Sequence, residues 1–132
     1  AVLLGGRAAE LEVFAEFSSG AADDLARATE IARDMVVRHG MDEGIGPVTI
    51  EPPQATMLEV APMVPTRPPV SEALQQRVDE AIRAIVTAGL EQARGVLKRH
   101  RDLLERGAQE LLQKETLDEA AIGKYAEAIR AA

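Results

Sequence analysis

Apolar residues recur along most of this chain at spacings of three and four, the period of a helix with one packed face. The stretch LARATEIARDMVVRHG shows it first, and Gly40 closes it as a residue suited to the left-handed conformation that ends helices. With SSGAADD in front, the segment predicts a helix from about Ser19 to His39, opened by a serine cap. Ser71 opens a longer one, with Leu74, Val78, Ile82, Ile85, Gly89, Ala93 and Val96 on the face that packs. The period loses phase at KRHRD, so a separate helix carries Leu103, Leu104, Ala108, Leu111 and Leu112. Thr116 and Glu119 match a capping box, which predicts a last helix from about Asp118, with Ile122, Tyr125 or Ala126, and Ile129 inward.

The first segment, Ala1 to Glu16, reads as a helix end, a Gly5-Gly6 close-packing or kink point and a further helical stretch. All seven prolines lie from Pro47 to Pro69, so this region reads as an irregular connection with a short strand at Val48 to Ile50. The expected fold is all-α with an up-and-down helical C-terminal half. It divides into residues 1–50, a Pro-rich connection at 51–70 and a helical bundle at 71–132.

Composition narrows the class. Of 132 residues, 46% are hydrophobic and only 2% aromatic, so the core is built from Ala, Leu, Ile, Val and Met. A formal net charge of −7 without a basic block argues against nucleic acid as a partner. The absence of cysteine excludes disulfides, thiol catalysis and thiolate metal sites, and no apolar run reaches the length of a membrane span. The chain begins AVLLGGRAAE, with no Met and apolar helix already under way, which reads as a piece of a longer protein.

Two adjacent carboxylates, Asp23 and Asp24, stand where this first long helix begins, and its pattern separates them. Advancing about 100° per residue from Ile31 places Leu25, Ala28, Ala32, Met35 and Val36 on one arc roughly 140° wide. Asp24 falls inside that arc, between Ile31 and Met35, whereas Asp23 shares the polar face with Arg27, Glu30 and Asp34. A carboxylate on an apolar face requires hydrogen bonds, a counter-charge, protonation or a metal, because burying its bare charge costs several kcal/mol. Free N–H groups at the helix start would satisfy Asp24, and so would a metal or a catalytic role. The pattern leaves both open.

Complete catalytic constellations are missing. The two histidines, His39 and His100, are far apart, so there is no His-Glu-x-x-His helix, and no phosphate loop, nucleophile elbow or dinucleotide fingerprint occurs. His39 reads as a partner of the helix C-terminal dipole rather than a ligand.

Taken in order, LLGGRAAE (Leu3 to Glu10), SSGAADDLARATEIARDMV (Ser18 to Val36) and GMDEGIGPV (Gly40 to Val48), then VDEAIRAIV, ARGVLKRHRDLL and KETLDEAAI, resemble one known arrangement. It is the C-terminal part of the peptidase domain of the FtsH family, ATP-dependent zinc metalloproteases of bacterial, mitochondrial and chloroplast membranes. The likeness covers nearly all of the chain except about Glu51 to Pro69. It implies a helical peptidase-domain fragment in which Asp24 is the third zinc ligand and Asp23 occupies a position usually taken by Asn. Two histidine ligands and a general-base glutamate are implied upstream of residue 1, so no catalytic residue is assigned within the chain, and the chain alone is not expected to be active.

The resemblance further implies ATP and magnesium at an ATPase module outside this chain, polypeptide substrates and a homo-hexameric parent. That parent is membrane-anchored through segments outside the chain, with this domain in the cytoplasm, or in an organelle matrix or stroma. Small-residue helix packing accounts for Gly5, Gly6, Ala8 and Ala9, while Arg7 and Glu10 are left between orienting the zinc helix and forming a solvated pair. The Pro-rich stretch and Ala81, where an acidic residue is frequent in the family, depart from the pattern. Without its zinc helix, the first sixteen residues are expected to pack poorly and the C-terminal half to hold the fold. A competing reading is a non-catalytic helical interaction or oligomerisation module with no metal.

Overall fold

A computed structural model describes residues 1–16, 18–50 and 70–131. Among these residues five α-helices follow one another: α1 (Gly5–Val13), α2 (Ala22–Val37), α3 (Glu72–Arg99), α4 (Arg101–Lys114) and α5 (Glu119–Ala131). Short 3₁₀ turns at Val2–Leu4 and Ser19–Ala21 lead into α1 and α2. The all-α reading holds, with no strand among the described residues. Residues 51–69, which contain most of the Pro-rich connection, and Phe17 lie outside them.

Local chemistry fixes the helix ends. The Ser71 hydroxyl accepts a hydrogen bond from the Leu74 N–H at 3.3 Å, so Ser71 caps α3. His100, at φ −117° and ψ 36°, is where α3 stops and α4 starts, which explains the loss of phase at KRHRD. The last helix corrects the capping-box reading. Asp118, not Thr116, is the cap, its Oδ1 accepting from the Ala121 N–H at 2.8 Å. Because α5 begins at Glu119, that residue sits too early to reach back to a cap at Thr116.

The core lies where α2 crosses the first half of α3. Ala32, Val36 and Val37 of α2 are buried with Val78, Ala81 and Ile82 of α3, and Ile50 closes the cluster. Ala81 is thus a core residue. The strand expected at Val48 to Ile50 is absent. Pro47 has no N–H to offer a ladder, and the Ile50 N–H is taken by the Val37 carbonyl at 2.7 Å, so the segment clips onto the end of α2. The close return is made at Gly40, with φ +59°, where a Cβ would stand 3.0 Å from the Val48 nitrogen.

The first segment is better packed than its sequence suggested. Leu4 and Ala8 are fully buried. Glu12 of α1 accepts from Arg94 Nε of α3 at 2.6 Å, and its backbone carbonyl accepts from Arg101 at 2.7 Å. Close packing is not at Gly5 or Gly6, where an added Cβ would meet nothing within 4 Å. It is at Gly89 of α3, where a Cβ would stand 3.3 Å from the Ala1 nitrogen and from Leu4 Cδ1. Of the C-terminal half expected to hold the fold, α3 does share the core with α2, whereas α4 buries no residue fully.

Candidate functional site

The carboxylates singled out in the sequence occupy the first turn of α2, where unpaired amides and the positive end of the helix favour acids. Asp23 is exposed and Asp24 half-buried, in the order the helical wheel predicted. The packed face, however, is centred differently. Contacts from α3 and Ile50 cover Ala32, Val36 and Val37, whereas Ile31 is 55% exposed. Asp24, Ala28, Ile31 and Met35 form one row along α2, separated by four, three and four residues. The last three of them line an open apolar cleft of about 360 Å³ together with Leu4, Ile85 and Gly89. Asp24 therefore stands at the head of a row of apolar side chains facing that cleft, not inside the core. Among the described residues its carboxylate has no hydrogen-bond or ion-pair partner, so the N-terminal amides do not satisfy it through a direct bond.

The polypeptide ahead of Asp24 is held from α1. Ser18, extended at φ −104° and ψ 169°, accepts at its hydroxyl from the Gly20 N–H at 3.1 Å and so caps the turn into α2. The same hydroxyl donates to Glu10 Oε1, and the Ser18 N–H donates to Glu10 Oε2 at 3.3 Å. Arg7 donates to the Ser18 carbonyl at 3.2 Å. These bonds hold the Glu10 carboxyl below the usual carboxylate range, the Ser18 hydroxyl first, then its N–H, with Arg7 assisting against the opposing effect of burial. Arg7 and Glu10 thus converge on Ser18. No period exposes such a contact, because the partners lie eight and eleven residues apart across a loop.

The histidines are not brought to this place. His39 is exposed just beyond the C-terminus of α2, and His100 lies at the α3–α4 junction. No group of three potential His, Cys, Asp or Glu ligands occurs among the described residues.

Residues 1–124 match the model for peptidase family M41. The chain belongs to that family. An ATP-dependent zinc metalloprotease FtsH of Methylibium petroleiphilum is 48% identical over 135 residues, which cover 99% of this M41 chain and 21% of the relative. FtsH of Syntrophobacter fumaroxidans is 39% identical over 130 residues, covering 98% and 20%, and FtsH 2 of Bdellovibrio bacteriovorus 43% identical over 121 residues, covering 92% and 20%. The chain spans about a fifth of the length of these curated relatives. No helix among the described residues is long and apolar enough to cross a membrane.

The donor set of this M41 chain can be tested against zinc, the metal in the relatives' names. A half-buried carboxylate without a partner among the described residues fits one corner of a zinc site, but three protein donors are usual in a catalytic one. The described residues supply one such donor at this place.

Proposed function

We propose that this chain is the part of an ATP-dependent zinc endopeptidase that supplies Asp24 as one of three protein ligands to the metal. The observation that carries the reading is the placement of Asp24, half-buried and without a partner among the described residues, at the head of an apolar row in a chain of peptidase family M41. The other two ligands and the general base are assigned to a His-Glu-x-x-His helix outside these 132 residues. ATP and magnesium are assigned to an ATPase module also outside them, in a membrane-anchored hexamer that cleaves polypeptides with this domain on the cytoplasmic, matrix or stromal side.

When bound, zinc would supply Lewis-acid polarisation of a peptide carbonyl and activation of water. The work of this chain is to present negative charge at one fixed point. Asp24 does so from the first turn of a helix that is fastened in the core through Ala32 and Val36. Asp23 stands in solvent and takes no part in this.

In the full-length protein, Asp24→Asn is expected to abolish stoichiometric zinc and casein cleavage while leaving ATP hydrolysis largely intact, whereas Asp23→Asn leaves all three near wild type. The isolated 132 residues are expected to cleave nothing. Metal analysis after gel filtration is the check. Equal zinc in wild type and Asp24→Asn rejects the assignment.

A further inference from the structure

The grip of α1 on Ser18 is more than a loop fastening. Just past the end of α1, Phe14 is exposed and Ala15 adopts φ 55°, a left-handed conformation unfavourable for a residue with a Cβ. Beyond Ser18 the path to Asp24 is short, one 3₁₀ turn at Ser19–Ala21 and the first residues of α2. All three polar groups of Ser18 are engaged: its N–H and hydroxyl donate to Glu10, its carbonyl accepts from Arg7, and its hydroxyl also accepts from Gly20. Glu10 rides on α1, which is fixed to α3 by buried Ala8 and by the Glu12–Arg94 pair at 2.6 Å.

From this chain of contacts we infer that Glu10 is a positioning residue for the metal site, acting through Ser18 to set where the first turn of α2 presents Asp24. The inference rests on the proposed role of Asp24 as ligand. Glu10 suits the task because a carboxylate only accepts, and its two oxygens meet two donors from one residue. A glutamine there would turn an amide N–H₂ toward one of those donors and lose that bond. Ser18 suits it because its hydroxyl donates to Glu10 while accepting from Gly20, so the capping turn and α1 are locked through one oxygen. Loss of a partner that orients a ligand typically lowers metal affinity ~10–100-fold. Because Glu10 reaches Asp24 only through a turn, the lower end of that range is expected.

The experiment uses the full-length protein and zinc alone, with affinity measured by competition against a chelator well below the unfolding temperature. Glu10→Gln and Ser18→Ala are each expected to weaken zinc binding about tenfold, and the double variant no further, since both remove the same bonds. Ser18→Thr, which keeps the hydroxyl, should restore near wild-type affinity. Cobalt substitution adds a readout that mere destabilisation would not move, an altered visible band in Glu10→Gln at full occupancy. The two readings fail separately. Retention of zinc by Asp24→Asn overturns the ligand assignment. Loss of zinc by Asp24→Asn, with wild-type affinity and cobalt spectrum in Glu10→Gln and Ser18→Ala, overturns the positioning role alone.

Discussion

The half of the molecule that carries Asp24 and the half formed by α4 and α5 are held by different forces. Between α1, α2 and α3 the contacts are apolar and buried: Leu4, Ala8, Val36, Val37, Ile50, Val78 and Ile82 lose nearly all their solvent. In α4 no residue is fully buried, and Leu112 remains 83% exposed. Its surface carries four-residue ion pairs instead, Arg101 with Glu105, Asp102 with Arg106 and Lys114 with Glu110. Tyr125 of α5 lies over Gly107 and donates to Glu110 at 2.7 Å. Burial contributes roughly 1.5–3 kcal/mol per large side chain, whereas exposed ion pairs contribute little. A residue proposed as a metal ligand, which must be held to fractions of an ångström, belongs on the first kind of scaffold, and that is where Asp24 stands.

The comparison breaks most readily at Val36. Val36→Ala removes two methyl groups from a fully enclosed side chain and leaves a small cavity, so a loss of about 2 kcal/mol is expected, while Leu112→Ala stays within about 0.5 kcal/mol. Urea unfolding measures both. Hydrogen exchange should likewise find amides near Ala8, Val36 and Val78 better protected than those of α4 and α5. Equal protection in α4 would show that apolar burial is not what separates the halves.

How much of this was readable beforehand follows from the range of each interaction. The helices, the Ser71 cap and the break at His100 are local, written in period and in residues three or four apart, and they were legible. The inward lean of Asp24 relative to Asp23 was also legible, being a matter of angle on one helix. Which side of that helix the core covers was not, because Ile50 and α3 decide it from a distance. The packing of the first segment was missed for the same reason. Its buried residues are Leu4 and a small Ala8, and its fastening is a Glu12–Arg94 pair 82 residues apart. For Glu10 the sequence leaves open an orienting role or a solvated pair with Arg7, and its contact with Ser18, eight residues away, has no period to announce it.

A smaller effect sharpens the comparison from the other half. The Glu110 carboxyl is held below its usual range, by Lys114 first and the Tyr125 hydroxyl second, and Tyr125 is raised above the usual phenol range by Glu110. The signs give a window. Stabilisation from Glu110 is present above the unfolded carboxyl value of about 4.3 and is lost as pH falls through the lowered folded value. Stabilisation from Tyr125 is present below the unfolded phenol value of about 10 and is lost as pH rises through the raised folded value. Alkali should therefore loosen α5 from α4 while the α1–α3 core persists. The chain has one tyrosine and no tryptophan, so ultraviolet difference absorption reports this group alone. Its midpoint should lie above that of a free tyrosine and fall back in Glu110→Gln. An unchanged midpoint in that variant would mean that the Tyr125–Glu110 bond does not join the two helices in solution.

The smallest effect expected is at Asp102, and salt distinguishes it from the largest. Asp102 sits in the first turn of α4, where it faces the positive end of the helix, and its carboxylate meets Arg106 at 3.2 Å with both side chains mostly in water. An exposed four-residue pair and a dipole contact of this kind sum to about 0.5 kcal/mol at low ionic strength. Near 1 M salt the screening length shrinks to about 3 Å, which is comparable to the separation itself, so little of that contribution should survive. Burial at Val36 has no charge to screen. Asp102→Ala should therefore cost about 0.5 kcal/mol in dilute buffer and almost nothing in concentrated sodium chloride, whereas the cost of Val36→Ala stays or grows. Urea midpoints for both variants at two salt concentrations provide the check. A salt-independent loss at Asp102 would assign this residue a packed role and move α4 toward the kind of scaffold on which Asp24 is built.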